Sequence, residues 1–376
     1  MVCCPGTGLT AAHRFEIRRL SRMTIETRIQ AYEDRHRDGV IRVLGYLWGD
    51  DFQRNKAYFD WKYLQNPHAT GWPGVVAMAG GEVVGFRGYF PARVKVNGRH
   101  HAVVQPGDTC VHPRHRRTGL SVAMGRMATE MFAPNYDLFL NFSCTKPSLP
   151  GYQRLGFHEL APKYFVTRSS ILGLTRYVLA SKGLLGDRSG VPQSRNPGVV
   201  TMTSQAQPAA MIELVRRTAI PNGKIVLARD HTFFSWRFRS PRHRYLFVYV
   251  TADHDLQAYV VFGLSANGRR AYILDHAQVN RGSLKTAIEA IISVRHFDVI
   301  SMLGFGVDVD MGAVLQSAGF TAHSLVRAIE KRMHGELPVL VRPLRSTSGT
   351  DGFLLAGLDV RRAESWSLKP LISDAS

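Results

Sequence analysis

GDTCVHPRHRRTGLSVAMGRMATEMF, Gly107–Phe132, is the stretch on which the reading of this chain turns. It starts as a β-strand that closes at Val111-His112-Pro113, because proline has no N–H to continue a ladder. A basic turn follows, Arg114-His115-Arg116-Arg117-Thr118-Gly119, and then a helix from Leu120 to Phe132. The first amides of a helix have no intrahelical acceptor, and the helix dipole is positive there, so strand, basic turn and helix together make an anion site. Gly119 lets the backbone approach a phosphate closely, and Arg114, Arg116 and Arg117 surround it with charge. The segment is neither the dinucleotide fingerprint Gly-x-Gly-x-x-Gly nor the nucleotide loop Gly-x-x-x-x-Gly-Lys-(Ser/Thr).

The rest of the chain sets the frame. Its 376 residues suit two or three domains, and 45% hydrophobic with 20% charged residues excludes wholesale disorder. A formal charge of +19 favours anionic partners such as a phosphorylated cofactor or a nucleotide-linked substrate. Cys3, Cys4, Cys110 and Cys144 are too few and too scattered for a disulfide framework or a zinc site, which fits reduced thiols and a cytoplasmic location. No apolar run approaches the ~18 residues that span a bilayer. Residues 1–22 read as a disordered leader, or as an over-extended start with Met23 as initiator, since Arg14, Glu16, Arg18, Arg19 and Arg22 interrupt any signal-peptide core.

Outward from the loop, residues 24–47 suit a helix. Val75–Met78, Val83–Tyr89, Val94–Val96 and Val103–Val111 suit strands, with a hairpin turn at Asn97-Gly98. A strand at Asp137–Cys144, a short helix and "LGF" follow. "YFDWKY" at Tyr58–Tyr63 returns as "FFSWRF" at Phe233–Phe238, each leading through a proline into a strand pair and ending in an apolar-Gly-Phe triplet, Leu155–Phe157 or Ala318–Phe320. The chain therefore reads as two copies of one α/β module. The divisions are 1–22, 24–168, a linker 169–196, 197–340 and an extension 341–376 that packs on the modules. The linker carries a helix from Ile171 to Leu185, read first as packed between domains and second as a membrane-surface helix with Arg176 and Lys182 as its cations.

The segment Arg116-Arg117-Thr118-Gly119-Leu120-Ser121, after Val111-His112-Pro113, resembles the pyrophosphate loop of the GNAT superfamily of acyl-CoA-dependent N-acyltransferases. That signature is (Arg/Gln)-x-x-Gly-x-(Gly/Ala), and Ser121 departs from it in the last position. "GYQRLGF", Gly151–Phe157, resembles the family's later Tyr-x-x-x-Gly-Phe. The resemblance covers about residues 24–165, and the layout resembles the tandem-GNAT acyltransferases of bacteria. It implies an α/β fold of two modules, each a mostly antiparallel twisted sheet with a splayed central strand pair flanked by helices. It implies acetyl-CoA as acyl donor and no metal. Thr109, Cys110 and Val111 would run beside the acyl and pantetheine arm. The amides of Arg117, Thr118, Gly119, Leu120 and Ser121, with Arg116, would hold the pyrophosphate. Tyr152 would be the general acid.

For a base, Asp108 is the candidate, as a buried carboxylate with a raised pKa; it could equally tie down a neighbouring loop. His112 reads as structural, His115 as a solvent or phosphate contact, Cys110 and Cys144 as core, and the "FDWKY" aromatics Trp61 and Tyr63 as packing. The second module has no such loop and places Leu315 where Tyr152 stands, so it reads as a non-catalytic copy; Asp308 and Asp310 read as a loop at a strand end. The expected reaction is acetyl transfer to a primary amine of a small or sugar-linked acceptor, with a monomer or homodimer and no nucleic acid. The alternatives are a tRNA-dependent aminoacyl transferase of tandem-GNAT type and a non-catalytic acyl-CoA-binding protein.

Overall fold

The computed structural model describes residues 26–218, 221–323, 328, 331, 332, 337–345 and 352–373. The leader reading of residues 1–22, and Cys3 and Cys4 with it, lies outside the described residues. In the first module the order is β1 (Thr27–Ala31), α1 (Arg37–Trp48), α2 (Phe52–Phe59) running into a π-helical turn (Asp60–Leu64), β2 (Gly74–Ala79), β3 (Glu82–Val96), β4 (Arg99–Val111), α3 (Leu120–Phe132), β5 (Leu138–Asn141), α4 (Leu149–Arg154) and β6 (His158–Lys163). Next come β7 (Phe165–Ser169), α5 (Ile171–Ser181), β8 (Val200–Thr203), α6 (Pro208–Arg217), β9 (Ile225–Leu227), α7 (His231–Arg237), β10 (Arg244–Ala252), β11 (Asp255–Leu264), β12 (Arg270–Gln278), α8 (Arg281–Ser293), β13 (Val299–Leu303), α9 (Val309–Ser317) and β14 (Leu337–Pro343).

Two mixed sheets result, flanked by helices. One runs β1-β2-β3-β4-β5-β14-β6, with β9 on the far end of β3; the other runs β7-β13-β12-β11-β10-β8. Along each of these runs neighbouring strands pair antiparallel except for β4 with β5 and β12 with β13, which are parallel, and in the first sheet Trp366–Ser367 adds a further parallel pair on β9. The β4–β5 pair holds only at Val103–Val104 against Leu138–Phe139, and beyond it the strands part. That divergence opens the space in which the site lies.

The modules exchange a strand. β7, from the first repeat of the sequence, pairs with β13 of the second sheet, and β14, from the second repeat, pairs with both β5 and β6 of the first. The divisions at 168 and 340 therefore separate sequence repeats but not sheets. The repeated hexamers meet face to face. Trp61 and Trp236 stack with centroids 5.1 Å apart, Trp61 Nε1 donates to the Trp236 carbonyl at 3.0 Å, and Trp236 Nε1 donates to the Trp61 carbonyl at 2.8 Å. Equivalent residues bonding reciprocally is the signature of a local twofold contact.

Three expectations are corrected. Residues 27–31 are an edge strand rather than helix, because Thr27–Ala31 pairs along β2 and tertiary pairing overrides local pattern. The linker helix stops at Ser181, where Gly183 takes a left-handed φ of 73°. Gly173 and Ala180 are its buried residues and Tyr177 lies against Arg270, but Ile171 is 80% and Leu172 59% exposed, so its first turn does not pack between domains. No helix of the described residues is long and apolar enough to cross a membrane.

Candidate active site

The site is built on a β-bulge. β3 and β4 pair at Arg87 with Thr109 and then at Tyr89 with Pro106, so Gly107 and Asp108 together oppose Gly88. An extra residue turns the bulged strand out of the ladder and re-aims a side chain. Asp108 thereby meets three donors: Trp48 Nε1 at 3.0 Å, Lys62 Nζ at 2.7 Å and Tyr63 Oη at 2.6 Å. Gly88 is needed for this, since a Cβ there would collide with the Tyr63 hydroxyl. The Lys62 side chain is 2% exposed and Asp108's is 13%. Burial by itself would raise the Asp108 pKa, as expected from the sequence. The Lys62 ammonium and the hydrogen bonds from Lys62, Tyr63 and Trp48 outweigh it, and the carboxyl is held below its ordinary value. The expectation of a raised pKa is thus corrected: Asp108 is an anchored anion.

Beyond the bulge, β4 ends in a 3₁₀ turn at Pro113–His115, where the His112 ring accepts from the Arg114 amide at 3.3 Å, the structural part expected of it. The loop then folds on itself: Arg116 Nε donates to the Val111 carbonyl at 3.0 Å and Thr118 Oγ1 to the His115 carbonyl at 2.7 Å. Arg117 and Gly119 both take left-handed φ, 66° and 85°. Gly119 starts α3 without a side-chain cap. Among the described residues no backbone acceptor takes the amides of Leu120 and Ser121, as the start of a helix requires.

Tyr152 reaches the same space from α4. Its ring is buried, meets Phe157 edge-on at 5.0 Å and carries the Arg87 guanidinium 4.9 Å from its centroid. The helix ends at Gly156, φ 77°, with the Phe157 amide bonded to the Tyr152 carbonyl at 3.1 Å. α9 ends identically at Gly319, φ 78°, with Phe320 bonded to Leu315 at 2.9 Å, so Leu315 is the geometric counterpart of Tyr152.

A single cavity of about 710 Å³ joins these parts, lined by Asp108, Thr109, Val111, His115, Arg116, Arg117, Gly119, Leu120, Ser121 and Tyr152 of the expected set, with Tyr58, Lys62, Arg87 and Ser143. Two expected residues do not line it. Cys110 points to the opposite face of β4, where its thiol donates to the Val43 carbonyl at 3.1 Å, as strand alternation dictates. Thr118 turns its hydroxyl back into the loop. Burial pushes the thiols of Cys110 and Cys144 up, which suits core cysteines. Arg87 and Lys62 were missed by sequence reasoning. The signal for Arg87 was a lone cation inside the apolar strand "VVGFRGYF"; Lys62 was hidden among aromatics that read as packing. Asp308 caps α9 through the Met311 amide and Asp310 pairs with Arg281, and among the described residues no group of ligands could hold a metal.

Residues 28–160, which carry these elements from β1 to the start of β6, match the acetyltransferase (GNAT) domain family. The first module is therefore a GNAT acetyltransferase domain by its match. The same fold extends over most of the chain. A GCN5-related N-acetyltransferase from Anabaena variabilis is similar with a TM-score of 0.57 at 12% identity, over 85% of this chain and 73% of its own. A probable N-acyltransferase from Enterococcus faecalis gives 0.56 at 11%, over 85% and 73%. The N-myristoyltransferase of Saccharomyces cerevisiae, with bound myristoyl-CoA, gives 0.50 at 13%, over 84% and 81%. At such identities the likeness concerns the fold alone. No curated protein matches the sequence significantly.

Proposed function

We propose that this chain transfers an acetyl group from acetyl-CoA to the primary amine of a small or sugar-linked acceptor. The observation that carries the reading is the one cavity onto which the α3 start, the β4 bulge and Tyr152 all open. Its wall supports an anionic donor: Lys62, Arg87, Arg116 and Arg117 stand against the single carboxylate of Asp108. The donor supplies an activated acyl thioester. The first-turn amides of α3 with Arg116 and Arg117 hold its diphosphate, and Thr109 and Val111 run alongside its arm. Tyr152 gives a proton to the leaving sulfur, for which a phenol is well matched. Asp108 stays ionised, keeps Lys62 and Tyr63 in the wall, and leaves the amine's proton to water.

Isothermal titration with acetyl-CoA, beside a Gly119→Glu variant, tests this. Micromolar binding that the variant loses is expected; a wild-type chain that does not bind acetyl-CoA would overturn the reading. A salt-steep affinity for charged tRNA in its place would favour the aminoacyl-transfer alternative. Because one solved relative carries myristoyl-CoA, the same titration with longer acyl-CoAs assigns the donor; tighter binding of a long chain would replace acetyl by that acyl group.

A further inference from the structure

Arg87 is a buried cation of the cavity wall to which the reading above gives no part in the chemical step. It is 3% exposed, and no carboxylate among the described residues pairs with it. Its Nη1 donates to the Ser121 carbonyl at 3.0 Å and to the Ser121 hydroxyl at 3.2 Å, while its Nε has no acceptor. Its guanidinium carbon lies 4.9 Å from the centroid of the Tyr152 ring. A buried charge without a counter-ion is costly, and folds that keep one gain little stability from it. Buried Arg269, by contrast, has Asp298 at 2.8 Å. Ser121, the residue that departs from the family signature, is the one whose hydroxyl holds Arg87.

We infer that Arg87 is a positioning residue that ties Tyr152 to the first turn of α3 and stabilises the phenolate left when Tyr152 protonates the leaving thiolate. This rests on the acyl-transfer reading. The amine nitrogen bonds to the acyl carbon, the C–S bond breaks with its electron pair on sulfur, and sulfur takes the Tyr152 proton. The nitrogen's surplus proton returns to the phenolate through water. The missing anion beside Arg87 is then the phenolate itself. Other charged or titratable groups face this space: Tyr89 on the same strand, whose phenol is hydrogen-bonded with the Arg87 side chain, with Arg342 of β14 beyond it, and Lys62, Asp108, His115, Arg116 and Arg117 around the cavity.

The test has two readouts. In ligand-free protein, the tyrosinate absorbance belonging to Tyr152 is the difference between each chain and its Tyr152→Phe partner. Arg87→Met should move that signal up by about one pH unit, and Arg87→Lys, which keeps the charge, by much less. In turnover, Arg87→Met should cost about 10- to 100-fold in kcat, and less than about twofold in a Tyr152→Phe background. If Arg87→Met does not fold by circular dichroism, Arg87→Gln takes its place. An unmoved titration overturns the proposal, and so does a kcat loss that persists without Tyr152. The titration needs no acyl donor, so it can fail while acetyl-CoA binding succeeds, and the reverse.

Discussion

The two modules start their corresponding helices in opposite ways. α3 begins at Gly119, left-handed and without a side-chain cap, whereas α8 begins at Asn280, whose side chain accepts from the Ser283 amide at 2.9 Å. A capping side chain is worth about 1 kcal/mol to a helix, and the first module forgoes it. Its amides stay available to an anion, while the second module satisfies one of its own. The openings differ likewise. β12 and β13 part beyond Ile273 and Met302, but the C-terminal segment crosses the gap. There Lys369 Nζ lies 2.6 Å from Asp308 and 2.7 Å from His276 Nε2. A common feature is as informative. An aspartate stands at each bulge with a cation and a phenol: Asp108 with Lys62 and Tyr63, Asp275 with Arg229 at 2.9 Å and Tyr259 at 2.8 Å. A constellation kept where the rest of the site is absent belongs to the scaffold.

This contrast can be broken most directly at the helix starts. Gly119→Glu should weaken acetyl-CoA binding by at least about 100-fold, through repulsion and a left-handed φ that glutamate tolerates poorly. Asn280→Ala should lose about 1 kcal/mol of stability in chemical denaturation and leave that affinity unchanged. At the helix ends, Tyr152→Phe should lower kcat by about 10²-fold with acetyl-CoA affinity within about twofold. Leu315→Ala should cost about 2–5 kcal/mol of stability, read by denaturant midpoint, and leave the kcat of folded protein intact.

At the bulges the two modules should behave alike. Asp108→Asn and Asp275→Asn each remove the carboxylate from a buried pair and should cost about 3–5 kcal/mol, seen as a lower Tm. For Asp108 the sign with pH is fixed. Its folded pKa lies below the ordinary 3.8, so its contribution is complete above that value and is lost as pH falls through the folded one. Tm of the wild type should therefore fall on acidification more than that of Asp108→Asn. The smallest effect is at the twofold contact. Trp61→Phe and Trp236→Phe each remove one indole donor and should cost about 1 kcal/mol, with the double variant departing from additivity because the rings stack.

Much of the scaffold was legible because its signals are local. Asn97-Gly98 takes left-handed φ at both residues, 47° and 82°, as a tight hairpin needs, and α3 spans Leu120–Phe132 as its pattern indicates. The strand end, turn and helix start around the loop were legible because Pro113 and Gly119 punctuate them. What the sequence hid depends on distant partners. The Asp108 pKa is set by Lys62 and Tyr63, which reach it only because Gly88 has no side chain. Arg87 acquires meaning only beside Ser121 and Tyr152, contributed by other elements. The strand exchange was invisible for the same reason, since nothing local in β14 says which sheet it will join.

That exchange sets a timetable for synthesis. β6 reaches β5 only through β14, so the first sheet is incomplete until Leu337–Pro343 has left the ribosome. At usual elongation rates the nascent chain waits about 10–30 s between β7 and β14 with both sheets open at an edge. Chaperones that shield exposed strand edges would find their longest opportunity on this protein in that interval.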